Sequence, residues 1–281
     1  MESEKPVVTS RQNRFVAQLC ALEDKKAREN THLFRFDGVK LLCEAVRHGV
    51  EIVYAAVCEK QADEVWNKLW TVGKMRPSEI GCKFVYVSES VFKKISEEKA
   101  PEGIICAAKH IDKFHKSVKI YNKDVYAPDK SEKILLLDSV RDPSNVGAAI
   151  RSAAAFGADR IIMGGGCADI YNPKTIRASM GTLFGMKIDR VSGMKDAVLF
   201  LRNSGRKVYA AALGHAAKKL GHDALEKDAC VIIGNEGHGL SDEVISACTG
   251  CVYIPMSEGV ESLNASVAAA VIMWEFFGKD N

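Results

Sequence analysis

Three apolar runs of this 281-residue chain, all after residue 132, are each followed by a turn with polar residues, and this feature restricts the fold more than any other. Lys133–Val140 leads into Arg141–Gly147, and Val231–Glu236 ends in glycine, asparagine and glutamate. Tyr253–Met256 ends in proline and methionine, and Ser262–Asn264 then opens a helical segment. In an α/β protein, ligands bind at the sheet edge formed by the carboxyl ends of the strands. The sequence therefore predicts an α/β domain with a ligand site at that edge.

Short apolar runs alternate with helical segments along most of the chain, after a first amphipathic helix predicted over 11–30. In the first half, strands are predicted over 32–36, 51–57, 83–87 and 103–108, and helices over 39–48, 62–70 and 89–97. In the second half, strands are predicted over 133–138, 160–163, 187–190, 207–212, 230–234 and 251–254. The alternation predicts a small, mainly parallel sheet covered by helices, followed by a second, larger α/β unit.

A change in composition separates the two predicted units. Residues 1–10 form a polar tail, 11–110 the first unit, 111–132 a lysine-rich linker and 133–281 the second unit. Between 109 and 133, lysines outnumber acidic residues and aromatic residues are interleaved with them. Such a segment can contact phosphates and stack on bases, but it is equally typical of a solvated linker.

Net charge and cysteine content bear on the binding partner and on the cellular location of the protein. A formal net charge of +3 is too small to indicate a nucleic-acid partner by itself. Nine cysteines without a repeating spacing, and a start without an apolar signal core, predict reduced thiols and a cytoplasmic location. No apolar stretch in the sequence has the length needed to cross a bilayer.

Together the three polar-ended segments resemble the signature motifs of the SpoU, or TrmH-like, RNA ribose 2′-O-methyltransferases of the SPOUT superfamily. The resemblance covers about half of the chain, with the family's polar positions all present in order. It implies that the second unit is a SPOUT α/β trefoil-knot domain. The smaller first unit, through Leu33–Gly38, resembles the ribosomal-protein-like α/β/α domain that binds the RNA substrate in this family.

The resemblance assigns catalytic roles to five positions, which are Asn145, Arg151, Glu236, Ser262 and Asn264. Because a guanidinium is effectively never deprotonated, we expect Arg151 to clamp a phosphate and stabilise a developing alkoxide. Glu236 is expected to brace its glycine-rich loop, or to orient Arg151 or Asn145. Ser144 or Asn145 is the predicted cap of the helix that follows the first motif.

The cofactor that the resemblance implies is S-adenosyl-L-methionine. Backbone groups at four positions are expected to hold its adenosine, and these are Leu213, Gly234, Ile254 and Leu263. His238 and Arg177 are weaker candidates, the first as a base and the second as an RNA contact, and each is also consistent with a plain surface position.

Other ligand motifs are incomplete. The glycines at 164–166 lack the ending of a phosphate-binding P-loop, which argues against a nucleoside-triphosphate enzyme. Cys248 and Cys251 lack a second pair of ligands at suitable spacing, so no metal site is predicted.

The predicted function is S-adenosylmethionine-dependent methylation of a ribose 2′-hydroxyl. Ribosomal RNA is the favoured substrate, and transfer RNA is the second candidate. An antibiotic-resistance methyltransferase and a non-catalytic RNA-binding or ribosome-assembly protein stay open as alternatives. The family also implies a homodimer, and the predicted contact is the last helix, which is apolar on more than one side through Val267, Val271, Ile272, Trp274 and Phe276. Burial of this helix within its own domain is the alternative. No membrane partner is predicted.

Overall fold

The computed structural model describes residues 6–98, 100–111, 129, 131–213, 217–221, 226, 229–260 and 262–278. These residues form two compact units. The first contains the described residues up to Ile111 together with Tyr171–Gly185, and the second contains the remainder. Most of the lysine-rich linker predicted over 111–132 lies outside the described residues. Its role and the predicted domain boundaries therefore stay predictions.

The first unit is a five-stranded sheet with helices, in the strand order β1-β4-β3-β5-β2. Its elements are β1 (Val7–Val8), α1 (Arg14–Ala21), α2 (Lys25–Thr31), β2 (Leu33–Asp37), α3 (Val39–Arg47), β3 (Ile52–Cys58), α4 (Ala62–Lys68), β4 (Lys83–Val87), α5 (Glu89–Ile95) and β5 (Ile104–Lys109). The four strands and three later helices predicted for this half of the chain are all present, with shifted ends.

Two details of the first unit differ from the prediction. The single helix predicted over 11–30 is two helices, because Asp24 accepts the Ala27 N–H at 3.1 Å and caps α2 instead of continuing α1. Four of the five strands run in the same direction, as predicted, but β5 runs antiparallel to both β3 and β2. Strand direction depends on where a connection returns to the sheet, which the alternation of strands and helices does not encode.

The second unit contains a seven-stranded parallel sheet in the order β10-β12-β9-β11-β6-β7-β8. From 131 onward the chain forms β6 (Ile134–Leu137), α6 (Pro143–Ala155), β7 (Arg160–Gly164), α7 (Pro173–Ser179), β8 (Lys187–Val191), α8 (Met194–Asn203), β9 (Val208–Ala211), β10 (Lys218–Lys219), β11 (Cys230–Ile233), α9 (Asp242–Ala247), β12 (Gly250–Tyr253) and α10 (Ala265–Met273). All six strands predicted for this half are present, which confirms the α/β class; the implied trefoil knot stays a prediction.

The central strands of this sheet place the polar segments. Every residue of β6 and of β11 is buried, as expected for strands covered on both faces. Since β6, β11, β9 and β12 are parallel neighbours, their carboxyl ends lie at one edge. The residues that follow β6, β11 and β12 therefore meet there.

Helix α7 belongs to the first unit, although the chain reaches it between β7 and β8. The ring of Tyr171 lies 4.9 Å from that of Phe34 and stacks at 4.0 Å on His110. Phe184 lies 5.5 Å from Phe36. Aromatic packing thus holds Tyr171–Gly185 in the first unit, whereas the sequence pattern predicted this segment within the unit over 133–281.

Candidate active site

The start of α6 is capped by Asp142, and not by Ser144 or Asn145 as predicted. The Asp142 carboxylate accepts the backbone N–H groups of Ser144 at 2.7 Å and of Asn145 at 3.1 Å, and Pro143 occupies the first helical turn. Because Asp142 satisfies these amides, the Asn145 side chain is available for contacts across the sheet edge.

Three side chains from separate segments form a continuous hydrogen-bonded chain, which we call the amide chain. Asn264 Nδ2 donates to Asn145 Oδ1 at 2.9 Å, and Asn145 Nδ2 donates to Glu236 Oε1 at 3.0 Å. Asn264 Oδ1 in turn accepts the N–H of Ser266 at 3.0 Å and caps α10. Each amide thus donates in one direction and accepts from the other, so the chain fixes both amide orientations and links the segments after β6, β11 and β12.

Glu236 is the acceptor at which the amide chain ends. Its carboxylate also lies 3.4 Å from the backbone N of Arg141 and 3.5 Å from that of Asp142. Burial raises the pKa of Glu236, but the hydrogen bonds from Asn145 and from backbone N–H groups outweigh burial and lower it. Glu236 is therefore an ionised brace at neutral pH and is poorly suited to accept a proton there. Among the described residues it has no hydrogen bond to Arg151.

Asn235 is a site residue for which the sequence motifs predicted no role. Its Nδ2 donates to the Ser139 carbonyl at 2.8 Å, and its Oδ1 accepts the N–H groups of Gly237 at 2.9 Å and His238 at 3.1 Å. Ser139 has a φ of 58°, a left-handed conformation that is uncommon outside glycine. Asn235 thus holds the turn after β6 in place. An asparagine between Gly234 and Glu236 was the only sequence signal for it.

Gly234 lies where two backbone segments approach too closely for a side chain. Asn235 and Gly239 exchange two backbone hydrogen bonds of 3.0 Å, which close a tight loop. A Cβ on Gly234 would lie 2.5 Å from the carbonyl carbon of Gly239. The loop therefore requires glycine at 234 to keep this shape.

A cleft of about 390 Å³ opens beside this loop at the carboxyl ends of β9, β11 and β12. It is lined by all four predicted cofactor-binding residues (Leu213, Gly234, Ile254 and Leu263), together with Glu236, Ser262 and surrounding small or apolar residues. Its size is within the range of small-molecule sites, and its walls combine apolar side chains with backbone at strand ends. This donor set fits an uncharged nucleoside that needs burial and backbone hydrogen bonds.

The structure brings together four of the five predicted catalytic residues. Asn145, Glu236 and Asn264 form the amide chain, and Ser262 lines the cleft beside Glu236. Arg151 is exposed on α6, does not line the cleft and has no hydrogen bond or ion pair within the described part of the chain.

The two weaker candidates lie elsewhere. The side chain of His238 is exposed and is absent from the cleft lining. Arg177 belongs to the first unit, where it forms an ion pair with Glu98. The roles considered for them, a base for His238 and an RNA contact for Arg177, therefore stay predictions.

The described residues also bear on metal binding and on membrane spanning. No group of three or more histidine, cysteine, aspartate or glutamate side chains is arranged to hold a metal ion there. Likewise, none of the helices in the described ranges combines the length and apolar character required to cross a membrane.

Both units of the chain match models of known protein families. Residues 132–274 match the model of the SpoU rRNA Methylase family, and residues 13–106 match that of the MRM3-like substrate binding domain. The chain is 29% identical over 271 residues to a Bacillus subtilis protein named 23S rRNA (guanosine(2553)-2'-O)-methyltransferase RlmP. That match covers 96% of this chain and 99% of the relative.

Solved structures agree over nearly the whole chain. An AdoMet-bound rRNA methyltransferase from Sinorhizobium meliloti superposes with a TM-score of 0.77 at 27% identity, covering 98% of both chains. A structure described as an RNA 2'-O ribose methyltransferase gives a TM-score of 0.78 at 26% identity, covering 96% of this chain and 98% of the other.

Proposed function

This chain belongs to the SpoU rRNA methylase family, and on that premise we propose that it transfers a methyl group from S-adenosyl-L-methionine to a ribose 2′-hydroxyl of ribosomal RNA. One observation carries the proposal. Glu236 both lines the nucleoside-sized cleft and ends the amide chain, so cofactor binding and substrate positioning share one residue at one sheet edge.

The cleft residues supply binding and orientation. When bound, the cofactor provides the methyl group of the reaction. Leu213, Ile254 and Leu263 offer apolar surface to its nucleoside, while Gly234 leaves the backbone uncovered. A methyl transfer by displacement depends on holding the attacking oxygen in line, and such positioning accounts for a large part of the barrier reduction.

The catalytic roles of the polar residues are part of the proposal. Asn145 and Asn264 present a fixed pair of amides to the substrate ribose, and Glu236 keeps that pair in register. Arg151 supplies the positive charge that stabilises the developing alkoxide and contacts a phosphate, because its guanidinium does not lose its proton. Its exposure on α6 leaves it accessible to an RNA backbone.

A homodimer is proposed on the apolar surface at the end of the chain. Val267, Val271 and Trp274 are 48%, 40% and 51% exposed, and they follow one another at helical spacing. Ile272 and Phe276, also predicted at this contact, are buried and are not part of the exposed surface. Apolar surface of this kind is characteristic of a contact between subunits. All nine cysteines are free thiols, which supports the further proposal of a reducing, cytoplasmic setting.

The test of the function is methyl transfer from labelled S-adenosylmethionine to unmodified total ribosomal RNA, with transfer RNA assayed separately. Ribose label in ribosomal RNA, lost in Arg151→Ala, is the expected result. Label confined to transfer RNA would move the substrate to that class. Donor binding without label in either RNA, despite a folded protein, would contradict the proposal and favour a non-catalytic RNA-binding protein.

The substitution Arg151→Lys separates charge from geometry. If charge stabilisation is the main role, Arg151→Lys retains more activity than Arg151→Ala at equal RNA affinity. Equal inactivity of the two variants would show that the planar guanidinium itself is required.

A further inference from the structure

The first unit carries an aromatic surface that includes two side chains of β4. A cleft there is lined by Pro6, Trp66, Pro77, Phe84 and Tyr86, with a volume of about 520 Å³. The rings of Trp66 and Phe84 pack edge to face at 5.1 Å. We call these five residues together with Trp70 the aromatic face.

Trp70 lies on the same side of the helix as Trp66, which lines the cleft. Trp66 is in α4, and Trp70 follows four residues later in the helical turn Leu69–Gly73, so both lie on one side of that helix. Trp70 is 51% exposed, which leaves much of a large ring in contact with water. An exposed indole beside an aromatic-lined cleft is typical of a binding surface rather than of a core.

Cations border the aromatic face. Lys74 Nζ lies 5.9 Å and Arg76 Cζ lies 6.0 Å from the centre of the Trp70 ring. Arg76 directly precedes Pro77 of the cleft, which makes the cationic and aromatic parts continuous. Both cations are exposed.

The charge balance of this segment is positive. From Trp66 to Tyr86 the sequence has four cations (Lys68, Lys74, Arg76 and Lys83) and one anion (Glu79). Lys68 also pairs with Glu102 at 2.5 Å, so four cations minus two anions leave a net +2. The two acidic residues of α4, Asp63 and Glu64, are in its first turn, before this segment begins.

We propose that the aromatic face, with Lys74 and Arg76, binds a single-stranded segment of the RNA substrate. The inference rests on the proposed function and deepens it by naming the RNA-contacting residues of the first unit. Unpaired bases stack on the tryptophan and tyrosine rings, and phosphates lie against the two cations. An apolar protein partner fits less well, because covering Trp70 would also desolvate both of its cations without supplying opposite charge.

Binding to two RNA probes tests the proposal in the full-length protein. The probes are a fluorescently labelled single-stranded oligouridylate and a fully paired RNA duplex of equal length. Trp70→Ala should weaken oligouridylate binding roughly fivefold or more, since base stacking contributes ~1–3 kcal/mol per base, and should leave duplex binding nearly unchanged. Trp70→Phe, which keeps a ring, should restore most of the affinity.

Salt dependence tests the two cations separately. Lys74→Ala combined with Arg76→Ala should lower the slope of log affinity against log salt by about 1.4, at ~0.7 for each phosphate that the protein no longer neutralises. The matched control is Lys25→Ala combined with Lys26→Ala, which removes two exposed cations from α2 of the same unit and should leave the slope unchanged.

Several outcomes would overturn the inference. Trp70→Ala with parental affinity for the single strand would do so, as would equal weakening on the duplex or absence of RNA binding in the parent. Unchanged RNA binding with loss of a protein partner would assign the face to that partner instead. RNA binding that depends on Trp70, without methyl transfer by the parent, would sustain this inference while removing the proposed function.

Discussion

Asn145 connects the carboxylate of Glu236 to the amide of Asn264, and both contacts depend on the same side-chain amide. Replacing it leaves the Glu236 carboxylate and the Asn264 amide without their shared partner. The positions of two segments at the sheet edge are then no longer coupled through a side chain. Asn145 does not line the cleft proposed for the cofactor, so its effects on methyl transfer and on cofactor binding can be measured separately.

We expect Asn145→Ala to reduce the methyl-transfer rate about 100-fold, the lower range for loss of one preorganised polar group. The dissociation constant for S-adenosylmethionine should change little. Single-turnover transfer and calorimetric titration of the cofactor measure the two effects. Asn203→Ala, an exposed position at the end of α8, is the control and should match the parent. Equal losses of rate and cofactor affinity in Asn145→Ala would contradict a positioning role.

Asp37, at the end of β2, has a largely buried carboxyl group, and burial disfavours its charged form. Burial raises its pKa from 3.8 to about 6, although Arg35 and Arg177 partly offset this. Because the folded state holds the proton more tightly, the stability that this group contributes is fully present below pH 3.8. It is lost as the pH rises through about 6.

Asp37→Asn should abolish this pH dependence, because an amide does not ionise. The free energy of unfolding of the variant minus that of the parent should rise by up to about 3 kcal/mol between about pH 4 and pH 7, as expected from the pKa difference. Denaturant unfolding at both pH values measures the gain. A stability difference that is the same at both pH values would show that Asp37 does not titrate in this range.

The convergence of polar residues at one sheet edge could be predicted where a motif follows a strand end. Glu236, Ser262 and Asn264 follow apolar runs, and the structure places them at one sheet edge. Hydrogen-bond partners were less accessible. Asp142 caps α6 although Ser144 and Asn145 are as capable by residue type, because the choice depends on backbone geometry at the turn.

At the scale of elements, the loop between β11 and α9 shapes the cleft that we propose holds the cofactor. Its close backbone approach at Gly234 and Gly239 leaves no room for a methyl group. Gly234→Ala would place a Cβ 2.7 Å from the backbone N of Leu240 as well, so the loop has to open. The clash involves backbone on both sides, and a change of side-chain rotamer cannot relieve it.

We expect Gly234→Ala to lower cofactor affinity at least tenfold and to destabilise the protein by about 1–3 kcal/mol, the usual range for overpacking. Calorimetric titration and thermal unfolding check these effects. Gly165→Ala is the matched control, since its Cβ would meet its nearest atom, the Val191 carbonyl oxygen, at 3.9 Å. Parental cofactor affinity in Gly234→Ala would show that the loop adjusts without cost to the cleft.

The positions of strands along the sequence could be predicted better than their direction in the sheet or the unit to which a helix belongs. Periodicity identified every strand of the parallel sheet except the two-residue β10, because buried parallel strands read as continuous apolar runs. The antiparallel direction of β5 and the placement of α7 in the first unit could not be read from it. Both depend on contacts between residues far apart in sequence, and local patterns are insensitive to those contacts.

At the scale of the whole molecule, the placement of α7 changes how the two units can be separated. A fragment over 132–281 would carry Tyr171–Gly185 without the strands and helices that cover it. Ile176, Leu183 and Phe184, each fully buried in the full chain, would become exposed. Such a fragment does not preserve the native surface of the second unit.

We expect this fragment to bind a hydrophobic dye strongly and to aggregate, because newly exposed apolar surface favours association. Changing Ile176, Leu183 and Phe184 to serine in the same fragment should reduce both effects. Dye fluorescence and light scattering provide the measurements. A fragment that stays monomeric and binds no more dye than the full chain would show that Tyr171–Gly185 folds without the first unit.

Subunit association is the remaining property of the whole molecule, and it depends on the surface of α10. Val267 and Val271 are exposed on this helix, and Trp274 extends the same surface while contacting Phe156 edge to face at 5.7 Å. Val267→Glu combined with Val271→Glu places two charges where the proposed contact is apolar. Burying unpaired charges of the same sign is strongly unfavourable, so the proposed dimer should dissociate.

Sedimentation equilibrium at micromolar concentration should give a dimer for the parent and a monomer for the Val267→Glu, Val271→Glu variant. Leu199→Glu, which changes a partly exposed residue of α8, is the matched control and should stay dimeric. Because α10 begins at its Asn264 cap, which belongs to the amide chain, we expect the monomeric variant also to lose methyl transfer. A monomeric parent would contradict the proposed dimer, whereas a monomeric variant with full activity would show that one subunit contains every residue that the reaction requires.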